Sequence, residues 1–91
     1  MSDSSASAAY VAAVVSLYVE LPDTPLRASV ADPWLARRFH EKGVPLQVVE
    51  TALLLGSLRR LIRPAAASRL SPVRSLAYFR SVIDELRAHP A

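Results

Sequence analysis

From residue 45 to residue 63 the apolar positions leave almost no polar side on a helical projection. Leu46, Val48, Val49, Ala52, Leu53, Leu54, Leu55, Leu58, Leu61 and Ile62 fall in nearly every direction at about 100° per residue. A helix that is apolar all round is a central, buried one. The stretch therefore predicts a helix over 45–63, opening after Gly43 and Val44 and closing before Pro64, which cannot continue it. Gly56 inside it is unfavourable by about 1 kcal/mol relative to alanine. Its presence predicts close approach of another backbone, from the first or the last helix.

The flanking segments read as helices able to wrap this one. Residues 1–5 are polar and serine-rich, a flexible terminus, and 6–89 form a single domain. Tyr10, Val14, Leu17, Tyr18 and Leu21 recur at helical spacing and predict a helix over 5–20. Val11, Val15 and Val19 widen its apolar face into a possible oligomer interface. Pro22-Asp23-Thr24-Pro25 makes a turn. Ser29 and Asp32 form a capping-box-like pair, and Asp32 followed by Pro33 reads as an N-cap with proline at the first helical position. The second helix is expected over 33–42, closed by Gly43 in the left-handed conformation. In it Leu35 and Phe39 face inward, Trp34 closes the core edge, and Arg37, His40 and Glu41 face out.

The short junction after Phe39 predicts that the second and third helices pack as neighbours at a sharp angle. Residues 64–74 are the one long connection, exposed and mobile, with Leu70 and Val73 as anchors. A last helix, over 73–88, starts at Ser71 or Ser75. Its stripe of Leu76, Phe79, Val82, Ile83 and Leu86 is the cleanest in the chain, with Arg80–Asp84 and Asp84–Arg87 as surface pairs. The fold class is all-α: a small four-helix domain around a central helix.

Composition agrees with one folded domain. Ninety-one residues, 52% apolar with two glycines, suit a single core. Asp3 stands where a signal peptide would be basic, and the longest uncharged run is too short and alanine-rich to span a bilayer; the expected location is cytoplasmic, without a membrane partner.

Charge changes the picture more. Residues 1–50 carry four basic and six acidic side chains, a net of −2. Residues 51–91 carry seven arginines and two acids, a net of +5, and no acid lies between Thr51 and Ile83. Such asymmetry points to a polyanionic partner. A base composition that favours arginine accounts for the ratio of ten arginines to one lysine, but not for the missing acids. Arg59, Arg60 and Arg63 end the central helix, and Arg69, Arg74 and Arg80 follow. Together they can track a phosphate backbone or meet an acidic protein, with Tyr78 as a stacking candidate. Cations at a helix C-terminus are also favourable in any protein, so part of the cluster needs no ligand.

Catalytic chemistry is not indicated. Cysteine is absent, and the two histidines, His40 and His89, lie in different elements, so no metal site is expected. His89 suits a helix C-terminus. Gly43 and Gly56 stand apart and cradle no phosphate, and none of the eleven serines sits in a nucleophile elbow. The chain is expected to be non-enzymatic, with no cofactor and no small-molecule substrate.

The run Tyr78-Phe79-Arg80-Ser81-Val82-Ile83-Asp84-Glu85-Leu86 resembles the Tyr-Ile-x-x-Ile-Leu-x-x-Trp signature closing the DnaD-type domain of bacterial and phage replication-initiation proteins. Tyr78 matches the tyrosine, Phe79 the isoleucine, and Val82 with Ile83 the aliphatic pair; Leu86 stands where that family has tryptophan. Upstream, 48–53 after a glycine turn is similar in order, and the likeness spans about 30–88. The run from Leu21 through the arginine-rich loop to Phe79 also resembles small uncharacterised helical proteins of bacterial mobile elements. The resemblance implies a helical module that binds DNA or a replication partner through basic residues near the last helix.

Three functions follow as expectations. The first is a module associated with DNA or RNA, in replication or maintenance of a mobile element. The second is a protein-interaction subunit or homodimer whose arginines meet an acidic surface. The third is a helix-turn-helix regulator reading bases through Gln47, Glu50 and Thr51.

Overall fold

The computed structural model describes residues 2–64 and 66–88, and among these it is all-α, four helices without a strand. Helix α1 is Ser2–Glu20, α2 is Ala31–Glu41 and α3 is Leu46–Leu61; a 3-10 turn, Leu76–Phe79, leads directly into α4, Arg80–Ala88. Helix α1 packs on α2, and α3 packs on α4. These two pairs are joined by contacts of α1 with α3 and of the 3-10 turn with both α2 and α3. The arrangement is flat, 52 × 32 × 15 Å across the Cα atoms. The second and third helices, expected as close neighbours, instead belong to different pairs. The α2–α3 junction is short, but α2 finds its apolar partner in α1.

Helix α1 extends back to Ser2, earlier than the expected start at residue 5. Tyr10, Val14 and Tyr18 are buried, with Leu17 and Leu21 half-buried beside them. The Tyr10 hydroxyl donates to the Val44 carbonyl at 2.8 Å, tying α1 to the start of α3. Tyr18 packs edge-on to Phe79 with ring centroids 6.3 Å apart. Burial pushes both phenols up to about 12; Arg87 opposes the shift at Tyr10, and the Asp32 charge adds to it at Tyr18.

Helix α2 ends as its glycine predicts. Gly43 has φ of +77°, its N–H donates to the His40 carbonyl, and the Val44 N–H donates to the Phe39 carbonyl, both at 3.0 Å. These two bonds make a Schellman motif, and buried Val44 and Phe39 supply its apolar contact. The start of α2 differs from expectation. Val30 is the N-cap, without a side-chain bond, and Asp32 lies inside the helix, almost fully buried. Its two oxygens accept from the Ser29 and Leu76 backbone N–H groups, each at 3.0 Å. Only the return arm of a capping box is formed; the other oxygen has gone to a distant segment. Trp34, expected at the core edge, is exposed, and the Arg38 guanidinium lies 5.7 Å from its ring. His40, expected outside, is half-buried with its ring 4.9 Å from Tyr10.

The largest correction concerns α3. Val49, Ala52, Leu53, Gly56 and Ser57 are buried against α1, the 3-10 turn and α4. Leu54, Leu58, Leu61 and Ile62 are 54%, 51%, 64% and 69% exposed. The helix is therefore covered on one side only. Gly56 does mark a close approach, but by a ring and not a backbone: a Cβ there would lie 2.8 Å from Phe79 Cδ1 and 2.9 Å from Cε1.

The last element is shorter than the expected 73–88. Ser75 is extended, and its hydroxyl accepts from the Ala77 N–H at 3.1 Å, so Ser75 and not Ser71 starts the turn. Leu76, Phe79, Val82 and Ile83 are buried and Leu86 half-buried, as the stripe predicts. Arg80–Asp84 and Asp84–Arg87 do not form ion pairs. His89 lies outside the described residues.

Candidate nucleic-acid interface

Three chain segments meet at the C-terminal end of α3. The turn after α1 presents Asp23, the strap 62–75 runs past it, and the 3-10 turn presents Tyr78. Asp23 sits at φ +61°, a left-handed conformation that aspartate tolerates better than most residues. In that position its carbonyl accepts the Val73 N–H at 2.8 Å, which seats buried Val73 in the core. The Thr24 hydroxyl holds the same turn by donating to the Leu21 carbonyl at 2.6 Å. Of the two expected anchors in the strap, Val73 holds; Leu70 is 36% exposed.

Arg60 is the hub. Its side chain is 8% exposed, and it reaches all three segments. Nη1 donates to the Tyr78 hydroxyl at 3.2 Å, Nη2 donates to the Ser71 carbonyl at 2.8 Å, and Nη2 lies 3.6 Å from Asp23 Oδ2. The guanidinium also stands 5.3 Å from the centre of the Tyr78 ring. Sequence places Arg60 among outward arginines, but it turns inward because its direction on α3 is close to that of the buried Val49 and Leu53. Tyr78 is half-exposed, with one face taken by Arg60 and an edge contact to Phe79 at 5.1 Å.

Arg59 and Arg63 are held more loosely. Arg59 makes a bidentate pair with Glu85 of α4, at 2.9 and 2.6 Å. That hydrogen-bonded carboxylate raises the Arg59 pKa further. Both groups are solvent-exposed, so the pair orients α4 more than it stabilises it. Arg63 Nη2 donates to the Ser68 carbonyl at 2.9 Å and has no ion-pair partner among the described residues. Arg69, Arg74 and Arg80 are exposed, and among the described residues none of them has an ion-pair partner.

Two open clefts share Arg60, Arg63 and Leu70 in their linings. The smaller, about 190 Å³, is lined by Asp23, Ser57, Arg60, Arg63, Ser68 and Arg69 with apolar neighbours. The larger, about 360 Å³, is lined by Gly56, Arg59, Arg60, Arg63, Leu70, Tyr78, Ser81 and Val82. No carboxylate lines the larger one. The structure thus brings Arg59, Arg60, Arg63 and Tyr78 together at one cleft and Arg69 to its neighbour. Arg80 precedes Ser81 of the larger cleft, and Arg74 follows the seated Val73.

The other expected surfaces lie elsewhere. Val11, Val15 and Val19 are half-buried, and Val11 and Val19 pack against the core. Gln47 and Thr51 reach solvent on the outer side of α3 while Glu50 is half-buried, and the same side continues as Leu54, Leu58 and Leu61. Asp23, Ser71 and Glu85, which position the arginines, carry no sequence signal for that role, since they lie 11 to 37 residues from the arginine each one holds. The outer stripe did carry one: Leu54, Leu58 and Leu61 repeat at helical spacing in their own right.

None of the described helices is long and apolar enough to cross a membrane, and no three described His, Cys, Asp or Glu side chains are grouped to hold a metal ion. Comparison of the chain with protein-family models, curated proteins and solved structures finds no match in any of the three.

Proposed function

We propose that the protein is a non-enzymatic module that associates with nucleic acid through the end of α3, the strap and the start of α4. The observation that carries this is the larger cleft, lined by Arg63, which has no ion-pair partner among the described residues, together with Arg59 and Arg60, which are paired with Glu85 and Asp23. Arg69 lines the neighbouring cleft, and Arg69, Arg74 and Arg80 are exposed and have no ion-pair partner among the described residues, which adds positive charge to the same part of the chain. Guanidinium groups suit phosphate oxygens, and the half-exposed Tyr78 ring is an aromatic on which a base can stack. Upkeep or replication of a bacterial mobile element, in the cytoplasm, is the setting that goes with this reading.

Fluorescence anisotropy with unspecific single- and double-stranded DNA at two ionic strengths tests it. Affinity is expected to fall steeply with salt. The triple change of Arg69, Arg74 and Arg80 to alanine is expected to lower the slope of log affinity against log salt by about 2 to 3, one phosphate contact per arginine. These positions are preferred to Arg60, whose loss also loosens the strap. Undetectable binding at low salt, or a slope unmoved by the triple change, would sink the reading.

A second reading is a protein-interaction subunit that sets its arginines on an acidic partner. It is favoured by one feature the first does not use, the exposed apolar side of α3.

A further inference from the structure

We infer that Glu85 is an intramolecular competitor for the larger cleft. Its carboxylate occupies the fork of Arg59 in place of a nucleic-acid phosphate and so limits how tightly the site binds. The inference rests on the nucleic-acid reading and names how that site is regulated. Helices α3 and α4 meet where Gly56 approaches Val82, a Cβ on Gly56 being 3.5 Å from Val82 Cγ2. About one helical turn further along each helix, three residues on, stand Arg59 and Glu85. The crossing therefore sets them face to face. The guanidinium donates through Nη1 to Oε1 at 2.9 Å and through Nη2 to Oε2 at 2.6 Å. Two parallel N–H···O bonds from one guanidinium are also how arginine grips a phosphate. Glu85 thus fills the fork of a side chain that lines the larger cleft.

The three cleft arginines are engaged in different ways, and the difference singles out Glu85. Arg60 is nearly buried, and its bonds to Ser71 and Tyr78 hold the strap, so withdrawing it disturbs the fold. Arg63 donates to a carbonyl, so a phosphate that approaches it has no charge to displace. Arg59 is bonded to a full negative charge, and the two side chains are 47% and 45% exposed. A pair so open to water is weak and screened by salt. A phosphate can therefore take the carboxylate's place while the buried Val82 and Ile83 of α4 stay packed. Once displaced, the carboxylate remains on α4 within reach of the site and repels the phosphate that replaced it. Both effects act in one direction. They lower affinity, and they hold one arginine back from the phosphates the site neutralises, which flattens the salt dependence.

Fluorescence anisotropy of the full chain with a labelled single-stranded oligonucleotide, over a series of salt concentrations, tests this. Glu85→Gln keeps the size of the side chain and removes its charge. Its affinity at low salt is expected to rise about three- to tenfold, with the slope of log affinity against log salt steeper by about 0.7, one more phosphate contact. Asp84→Asn removes the same charge from the next residue, which is exposed and has no ion-pair partner among the described residues. Its gain is expected to stay below about twofold, since only a screened, distant charge is lost. Arg59→Ala is expected to cost the Glu85→Gln protein at least about fivefold more affinity than it costs the wild type, the signature of two coupled residues. A Glu85→Gln gain no larger than that of Asp84→Asn overturns the inference, as does a gain that Arg59→Ala leaves intact. In either case salt-dependent binding by the wild type leaves the nucleic-acid reading standing. Absence of binding by the wild type and Glu85→Gln alike overturns both.

Discussion

Leu53 and Leu54 are adjacent on α3 and live in opposite surroundings. Leu53 is fully buried, whereas Leu54 is more than half exposed. The same division runs along the helix: one side meets Phe79 and Val82, and the other meets solvent. The buried side carries Val49, Ala52, Leu53, Gly56 and Ser57 and the exposed side Leu54, Leu58 and Leu61, so hydrophobicity alone does not mark the covered side. What distinguishes them is supply. Helix α2 spends its apolar face on α1, and α4 with the 3-10 turn covers only one side of α3. Among the described residues no further element covers the other side. The inner side therefore carries stability, and the outer side is open to solvent.

Stability measurements on neighbouring positions would break or sharpen this contrast. Leu53→Ala is expected to cost about 2–5 kcal/mol in urea unfolding through lost burial and a residual cavity. Leu54→Ala is expected to stay within about 0.5 kcal/mol under dilute conditions. Equal costs at the two sites would mean that the two sides are not differently packed.

A smaller effect is expected at Gly56. Alanine gains about 1 kcal/mol of helix propensity there. Its methyl group, however, would lie 2.8 and 2.9 Å from two carbons of the fully buried Phe79 ring, so the ring must shift. The net result is expected to be a loss of about 1–3 kcal/mol from overpacking. Phe79→Leu in the same background should show a smaller Gly56→Ala penalty than the wild type does. A Gly56→Ala variant with a raised melting temperature would remove the close approach from the account.

The smallest contrast is between two arginines that look alike in sequence. Arg60→Ala is expected to cost about 1–2 kcal/mol, from lost hydrogen bonds to Tyr78 and Ser71 and the ring contact. Its exposed partner Asp23 adds little. Arg69→Ala, at an open position, is expected to remain within about 0.5 kcal/mol. Chemical denaturation of the two variants side by side separates an arginine that holds the strap from one left free for a ligand.

Much of the helix plan was legible before the structure. The stripe Leu76, Phe79, Val82, Ile83 and the turn at Gly43 depend on neighbours a few residues away, and both were read correctly. The misreadings share a different cause. Asp32 looks like a cap because Pro33 follows it, yet one of its oxygens is taken by the Leu76 N–H, forty-four residues on. Trp34 looks like core by its chemistry and is exposed, with Arg38 over its ring. The candidate site was legible as a cluster of arginines but not as a geometry. Nothing around Arg60 announces that Asp23 and Tyr78 will come to it.

The sequence by itself determined that this is a four-helix chain with positive charge gathered behind α3, because helical periodicity, turn residues and charge are local properties. Only the tertiary structure decided which side of α3 is covered, which arginine is locked inward and which remain open. Those outcomes depend on where distant segments dock, and a 3.6-residue repeat carries no information about the partner of the face it creates.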